Sequence, residues 1–292
     1  MRQKKSKNEE KEMSTNKENR RKYSRKSPFL KNPKTYLKKD RLTAEPGYYF
    51  IWGYHAVCAA LLNPNRFVKR LYASPNSEQI ARELAQNAIC RGNSNTLELS
   101  ILEPQLFEAS READAKRVHQ HLMVEVLPLE MLDLSDILFG NENLRIIVLD
   151  QITDSRNVGA IIRSAKAFGC DAIILTKHNA PAENGSLARA AAGALEDVPI
   201  ITVTNLNRTI ETIKSNAVRC IGLDASGEDE LDSFRTEHRL ALIVGSENHG
   251  MRRLTKQACD NIVTIPMKNL TESLNVSVAS AIALYATQID SK

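Results

Sequence analysis

The chain has 292 residues and 42% hydrophobic content, enough for two ordinary domains with a sizeable core, and no apolar run approaches the roughly 18 residues of a membrane span. Its five cysteines, Cys58, Cys90, Cys170, Cys220 and Cys259, form no CxxC pair and no Cys/His cluster at metal spacing. That argues against a metal site or a disulfide framework and points to a reducing, cytoplasmic compartment. The net charge of +5 is uneven: residues 1–45 hold 16 Lys+Arg against 6 Asp+Glu, a balance of +10, so the remainder carries −5.

Residues 1–46 form the basic tail, with almost no apolar residue before Tyr23, and such a segment is expected to be disordered. It has no apolar stretch of a signal peptide, and Glu9, Glu10, Glu12 and Glu18 are unlike an organelle transit peptide. It reads either as a polyelectrolyte arm that gathers RNA by counterion release or as a solvated extension without a role.

Alternation begins at Tyr48. The runs YYFIWG, VKRLYAS, TLELSIL and LMVEVLP read as strands, with helices at HAVCAALL and SEQIARELAQNAICR, giving a small α/β domain over 47–128. Residues 129–143 read as a linker with one helical turn, closed by Gly140 and Asn141.

From 144 to the end the alternation is stronger. LRIIVLD, AIILT, PIITVT, RCIGLD, LALIVG and IVTIPM are Ile- and Val-rich runs that suit a parallel sheet covered on both faces. Helices are expected at 158–168, 186–194, 206–215, 252–258 and 275–289, which makes 144–292 a doubly wound α/β domain.

Open α/β sheets bind ligands beyond the carboxyl ends of their strands, and three strand ends here carry unusual polar residues. LDQITDSRNVGAIIRSAKAFG has no GxGxxG, so a dinucleotide site is not indicated. Asn157 is expected to open its helix, whose apolar stripe runs through Val158, Ile161, Ile162, Ala165 and Phe168. Arg163 lies off that stripe and can lean back toward Asn157, or pair with Asp154 or Glu247 as a surface ion pair.

VGSENHGMRR lacks the Lys and Ser/Thr of a P-loop. Its Gly245 and Gly250 allow close backbone approach to a ligand, Asn248 tolerates positive φ, and Glu247 can accept hydrogen bonds from a ribose or base edge. The plainer alternative makes Glu247 the first-turn acid of the next helix. In IPMKNLTESLN, Ser273 and Asn275 bracket Leu274 before a run from Val276 to Tyr285 that is apolar nearly all round, the pattern of a helix buried on every side. One N-cap accounts for one polar residue there, not for Glu272, Ser273 and Asn275 together. No His or Cys pair at these strand ends offers a conventional base.

In order and spacing, RNVGAIIRSAKAFG, LALIVGSENHGM and IPMKNLTESLNVSVASAIALY resemble the three motifs of the SPOUT superfamily, in its TrmH branch of RNA ribose methyltransferases. WGYHAVCAALL and AKRVHQHLMVEV are similar to the ribosomal-protein-like RNA-binding domain that precedes the catalytic domain in the RlmB type. The likeness spans residues 49–288. His121, Asn248 and Asn269 stand where the family often has glycine.

The resemblance implies an α/β trefoil-knot domain and S-adenosylmethionine bound largely by backbone at Gly245, Ile265 and Leu274. It implies catalysis by Arg163 with Asn157, Glu247, Ser273 and Asn275, and a homodimer with no metal and no membrane anchor. Two roles stay open for Arg163: the base that activates the 2′-hydroxyl, or a charged anchor for RNA phosphate. The implied reaction is 2′-O-ribose methylation of RNA, on a guanosine of 23S rRNA. A tRNA guanosine, a resistance-type rRNA site and a non-catalytic ribosome-assembly factor are the rival readings.

Overall fold

The computed structural model describes residues 42–90, 97–108, 121–140, 142–178, 180–247, 249–267 and 273–288. The tail through residue 41, all of AKRVHQ, and Asn141, Asn248, Asn269 and Glu272 lie outside the described residues.

The first unit contains β1 (Tyr49–Trp52), α1 (Tyr54–Leu62), β2 (Val68–Ala73), α2 (Glu78–Cys90), β3 (Glu98–Ile101), a short α3 (Pro104–Glu108) and β4 (Leu122–Val126). Its sheet order is β1-β4-β2-β3, with β4 antiparallel to both neighbours and β2 parallel to β3. His121 enters β4 at φ 50°, a left-handed conformation that suits the glycine more usual there. In the linker, the expected helical turn is α4 (Leu134–Leu138), capped by Asp133 and Asp136.

The second unit has β5 (Leu144–Asp150), α5 (Ser155–Ala167), β6 (Ala172–Thr176), α6 (Gly185–Ala190), β7 (Ile200–Val203), α7 (Leu206–Ser215) and β8 (Arg219–Leu223). It continues with β9 (Asp229–Glu230), β10 (Arg239–Gly245), α8 (Arg253–Ala258), β11 (Asn261–Thr264) and α9 (Val276–Ala286). The sheet is parallel throughout, in the order β7-β6-β5-β10-β8-β11-β9. Alternation along β5 divides its core: Ile146 and Val148 pack with α4 and α7, Ile147 and Leu149 with α5 and α6.

Three expectations need correction. The helix opened by Asn157 starts earlier, because the Asp154 side chain accepts from the Arg156 N–H and caps it. Asn157 thus sits inside the first turn. The helix expected at 186–194 stops at Ala190, since Ala192 and Gly193 take positive φ, and a 3-10 turn at Ala194–Glu196 follows. Finally, α9 is not buried on every side: Val276, Ser280, Ala283 and Leu284 face inward, while Val278, Ile282 and Tyr285 are 47%, 37% and 61% exposed.

The two units share one continuous apolar core. At their seam a Cβ on Gly185 would lie 1.7 Å from the Trp52 ring, so α6 rests directly on β1. Beside it Arg66, with a fully buried side chain, donates to Glu183 at 2.6 Å, Glu196 at 2.8 Å and the Leu127 carbonyl at 2.8 Å. Burial alone would pull the guanidinium pKa down, but the bonds to Glu196 and the charges around it carry it above the ordinary value.

Candidate active site

The chain runs from β5 to β6 and β7 on one side and returns through β8 and β10 on the other, so β5 and β10 flank the switch in strand order. The crevice beyond their carboxyl ends is where such a sheet takes a ligand. The segments after β5, β10 and β11 meet there.

Asn157, Glu247 and Asn275 come together although they lie far apart in sequence. Glu247 Oε1 accepts from Asn157 Nδ2 at 3.1 Å, from the Val276 N–H at 3.2 Å, and from Asn275 Nδ2. Asn275 Nδ2 also donates to Asn157 Oδ1 at 3.2 Å, closing the ring. The Val276 N–H belongs to the first turn of α9, where a carboxylate also meets the favourable end of the helix dipole. Glu247 is therefore not a first-turn acid of the following helix, α8, which begins at Arg253.

Asn275 resolves part of the polar cluster before α9. Its Oδ1 caps the helix by accepting from the Ser277 N–H at 3.0 Å, leaving its Nδ2 for Glu247 and Asn157. Ser273 does something else and lines a cavity.

That cavity, about 330 Å³, lies under the ends of β8 and β10 and against α9. Gly245, Ile265 and Leu274 line it together, joined by Leu223, Asp224, Val244, Ser273 and Ala279. A second, more polar cavity of about 470 Å³ is walled by Gln151, Thr153, Asp154 and Asn157. Ser246, Glu247, His249 and Val276 belong to both walls, so the hydrogen-bonded ring stands at the junction.

The loop carrying Glu247 is held tightly. Ser246 and Gly250 exchange backbone hydrogen bonds at 3.1 and 2.8 Å. A Cβ on Gly245 would lie 2.1 Å from the backbone of Gly250 and Met251. The glycine is thus needed for the loop to close on itself, before any ligand is considered. Asp150, fully buried at the end of β5, accepts from the Arg252 N–H at 2.9 Å and from its Nε at 2.8 Å, pinning the far end of the loop. On the other wall, burial alone would raise the Asp224 carboxyl pKa, yet hydrogen bonds from Ser226 and Lys256 hold it below the ordinary range.

Arg163 is apart from this ensemble. It is exposed on α5, lines neither cavity, and makes no hydrogen bond or ion pair among the described residues. Its expected surface partners are engaged elsewhere, Asp154 with Arg156 and Glu247 with the two asparagines. Sequence reasoning missed Asp150, Arg252, Asp224 and His249. An acid closing a buried strand was a usable signal for Asp150; His249 was legible only as a neighbour of Glu247. Among the described residues no cluster of three or more His, Cys, Asp or Glu could hold a metal ion, and no helix is long and apolar enough to cross a membrane.

Residues 144–285 match the SpoU rRNA Methylase family. The chain is 34% identical over 241 residues to the 23S rRNA (guanosine-2'-O-)-methyltransferase RlmB of Vibrio parahaemolyticus, covering 81% of this chain and 94% of that protein. It is 36% identical over 252 residues to the protein of that name from Neisseria meningitidis, covering 82% and 94%. Among solved structures, the SpoU methyltransferase AviRb from Streptomyces viridochromogenes, in complex with AdoMet, superposes with a TM-score of 0.69 at 23% identity over 83% of this chain and 89% of that one, which establishes a shared fold.

Proposed function

The chain belongs to the SpoU rRNA methylase family, and from that premise we propose that the cavity under β8, β10 and α9 holds S-adenosylmethionine while the adjoining polar cavity receives the ribose of an RNA nucleotide. The protein is an S-adenosylmethionine-dependent RNA 2′-O-ribose methyltransferase, and its substrate is a guanosine of 23S ribosomal RNA. The observation that carries the site reading is the Glu247 carboxylate, which gathers N–H groups from two of the three motif segments while standing in the third, at the wall the two cavities share.

The residues suit the group. Leu223, Val244, Ile265, Leu274 and Ala279 offer an apolar slot for a purine, and Asp224 and Ser273 add polar atoms for hydroxyl or ammonium groups. When bound, S-adenosylmethionine supplies a methyl group activated on a sulfonium. The protein's part is to bring a ribose hydroxyl into line and to take its proton. Asn157, fixed by Glu247 together with Asn275, lines the cavity assigned to the ribose, and Ser273 lines the one assigned to the methyl donor. Arg163, exposed and without a hydrogen bond or ion pair among the described residues, is assigned the RNA backbone, because a guanidinium pairs well with phosphate.

Finer features belong to the same reading. The first unit is an RNA-binding domain of ribosomal-protein type, and the basic tail adds affinity without reading sequence. The trefoil knot is supported by Ile265 and Leu274 lining one cavity with Gly245 and Gly250. The protein is assigned to the cytoplasm, and a homodimer is supported by the apolar outer face of α9, where Val278, Ile282 and Tyr285 are exposed. Light scattering that finds only monomer would remove the dimer.

The deciding experiment is transfer of labelled methyl to 23S rRNA fragments followed by alkaline hydrolysis. A 2′-O-methyl protects the adjacent phosphodiester, so label is expected in alkali-resistant dinucleotides containing guanosine. Label recovered only on free bases would overturn the reading.

A further inference from the structure

We propose that Gln151 reads the sugar edge of the target guanosine, a specificity role that rests on the methyl-transfer reading above. Among the described residues four that are not glycine take positive φ, and their places differ. Ala192 and Ala217 follow the ends of α6 and α7, where a left-handed residue commonly closes a helix, and His121 leads into β4. Gln151, at φ 61°, follows β5 on the carboxyl edge of the sheet and lines the polar cavity assigned to the ribose. A glutamine is strained in that conformation where a glycine would not be, and strain of this kind gathers at ligand sites.

The turn is fixed on both sides. Asp150 before it is fully buried and bonded to Arg252, and Ile152 after it is buried in the apolar core. Between these anchors the Gln151 side chain is half-buried and makes no hydrogen bond among the described residues. Both ends of its amide are therefore available to whatever enters the cavity.

The chemistry of the amide selects the atoms it meets. A glutamine side chain carries an acceptor oxygen beside a donor nitrogen. Guanine shows the complement on its sugar edge, the side of the base on which the 2′-hydroxyl lies: the N3 acceptor stands next to the N2 amino donor. Adenine has N3 there without the amino group. Gln151 can donate from Nε2 to N3 and accept at Oε1 from N2–H, a pair of bonds that guanine alone of the four bases completes. A residue on the wall that receives the ribose is placed for this edge rather than for O6 and N7 on the far side of the base.

The test is single-turnover methylation by the full chain, wild type and Gln151→Gly, of an rRNA fragment with guanosine or inosine at the position that wild type methylates. Inosine keeps N3 and lacks the N2 amino group. Wild type should methylate inosine about 10–100-fold more slowly than guanosine, whereas Gln151→Gly should lose a similar factor on guanosine and treat the two nucleosides alike within about threefold. Any effect of inosine on the RNA fold falls on both proteins, so the difference between them isolates the contact. Glycine takes positive φ without strain, which offsets the freedom it adds to the unfolded chain, so the variant should melt close to wild type. Its affinity for S-adenosylmethionine by calorimetry should stay within about threefold. A wild type indifferent to inosine, a variant that keeps the inosine penalty, or a variant that melts far below wild type or loses cofactor affinity in step with rate would each overturn the assignment. If wild type puts no methyl on the ribose of guanosine, the parent reading fails and takes the assignment with it.

Discussion

Two polar networks in this molecule use similar groups to opposite ends. At the seam between the units, Tyr49, Asn63, Arg66, Glu183 and Glu196 form a cluster around a fully buried guanidinium. At the carboxyl end of the parallel sheet, Asn157, Glu247 and Asn275 form a smaller ring around Glu247, which lines two cavities, with Glu247 and Asn275 exposed. Burial makes the first a matter of folding, because a charge removed from water needs its partners. Exposure leaves the second nearly free of that cost, so its geometry can serve a ligand. The same chemistry thus joins two units in one place and lies open beside two cavities in the other.

The contrast breaks most visibly at Arg66. Arg66→Met leaves Glu183 and Glu196 without their cation and is expected to cost about 3–5 kcal/mol by urea denaturation. A loss below about 1 kcal/mol would place the seam among ordinary surface pairs. The mirror experiment is Glu247→Ala, which should slow methyl transfer about 10²-fold through misplacement of the two amides while costing only about 1 kcal/mol of stability, the worth of an acid at a helix N-terminus. Arg163→Ala should behave alike, with fold and cofactor affinity kept and turnover lost. A large drop in melting temperature for Glu247→Ala would move the ring into the folding category.

Gly245→Ala sharpens the comparison by placing a folding defect inside the site. Its Cβ would meet the Gly250 backbone at 2.1 Å, so overpacking of about 1–3 kcal/mol is expected, together with weaker cofactor binding in calorimetry. The smallest effect is at Asp154, which caps α5 and lines the polar cavity. Asp154→Ala should cost about 1 kcal/mol near neutral pH. Because hydrogen bonds from Arg156 depress the carboxyl pKa in the folded state, this contribution is present above the ordinary carboxylate range and is lost as pH falls through the depressed value. Stability curves of variant and wild type should therefore converge in acid, and a constant gap would contradict the cap.

The fold was legible because its signals are local. Ile- and Val-rich runs of strand length alternate with amphipathic helices, and every strand of the second unit from LRIIVLD to IVTIPM, apart from the two-residue β9, lies where that pattern places it. Gly245, Ile265 and Leu274 could be named together only through the resemblance to the family's motifs, and they do line one cavity. The misses have a shared cause. Asn157 was taken for a cap since a cap and a first-turn residue look alike in sequence, and only the Asp154 bond distinguishes them. The exposed face of α9 was hidden because an apolar helix reads the same in sequence whether or not the fold covers all of it.

By itself, the sequence determined the two α/β units, the parallel sheet and the three loops at its carboxyl edge, since periodicity, β-branched content and turn residues act over a few positions. Only the tertiary structure decided that Glu247 gathers two asparagines, that Asp150 pins the loop through Arg252, that Arg66 is sealed between acids, and that His249 stands at the junction of two cavities. Those outcomes depend on which strand ends the sheet order brings side by side and on how much water their packing excludes. Both are set by contacts between residues distant in the chain, and no local pattern encodes them.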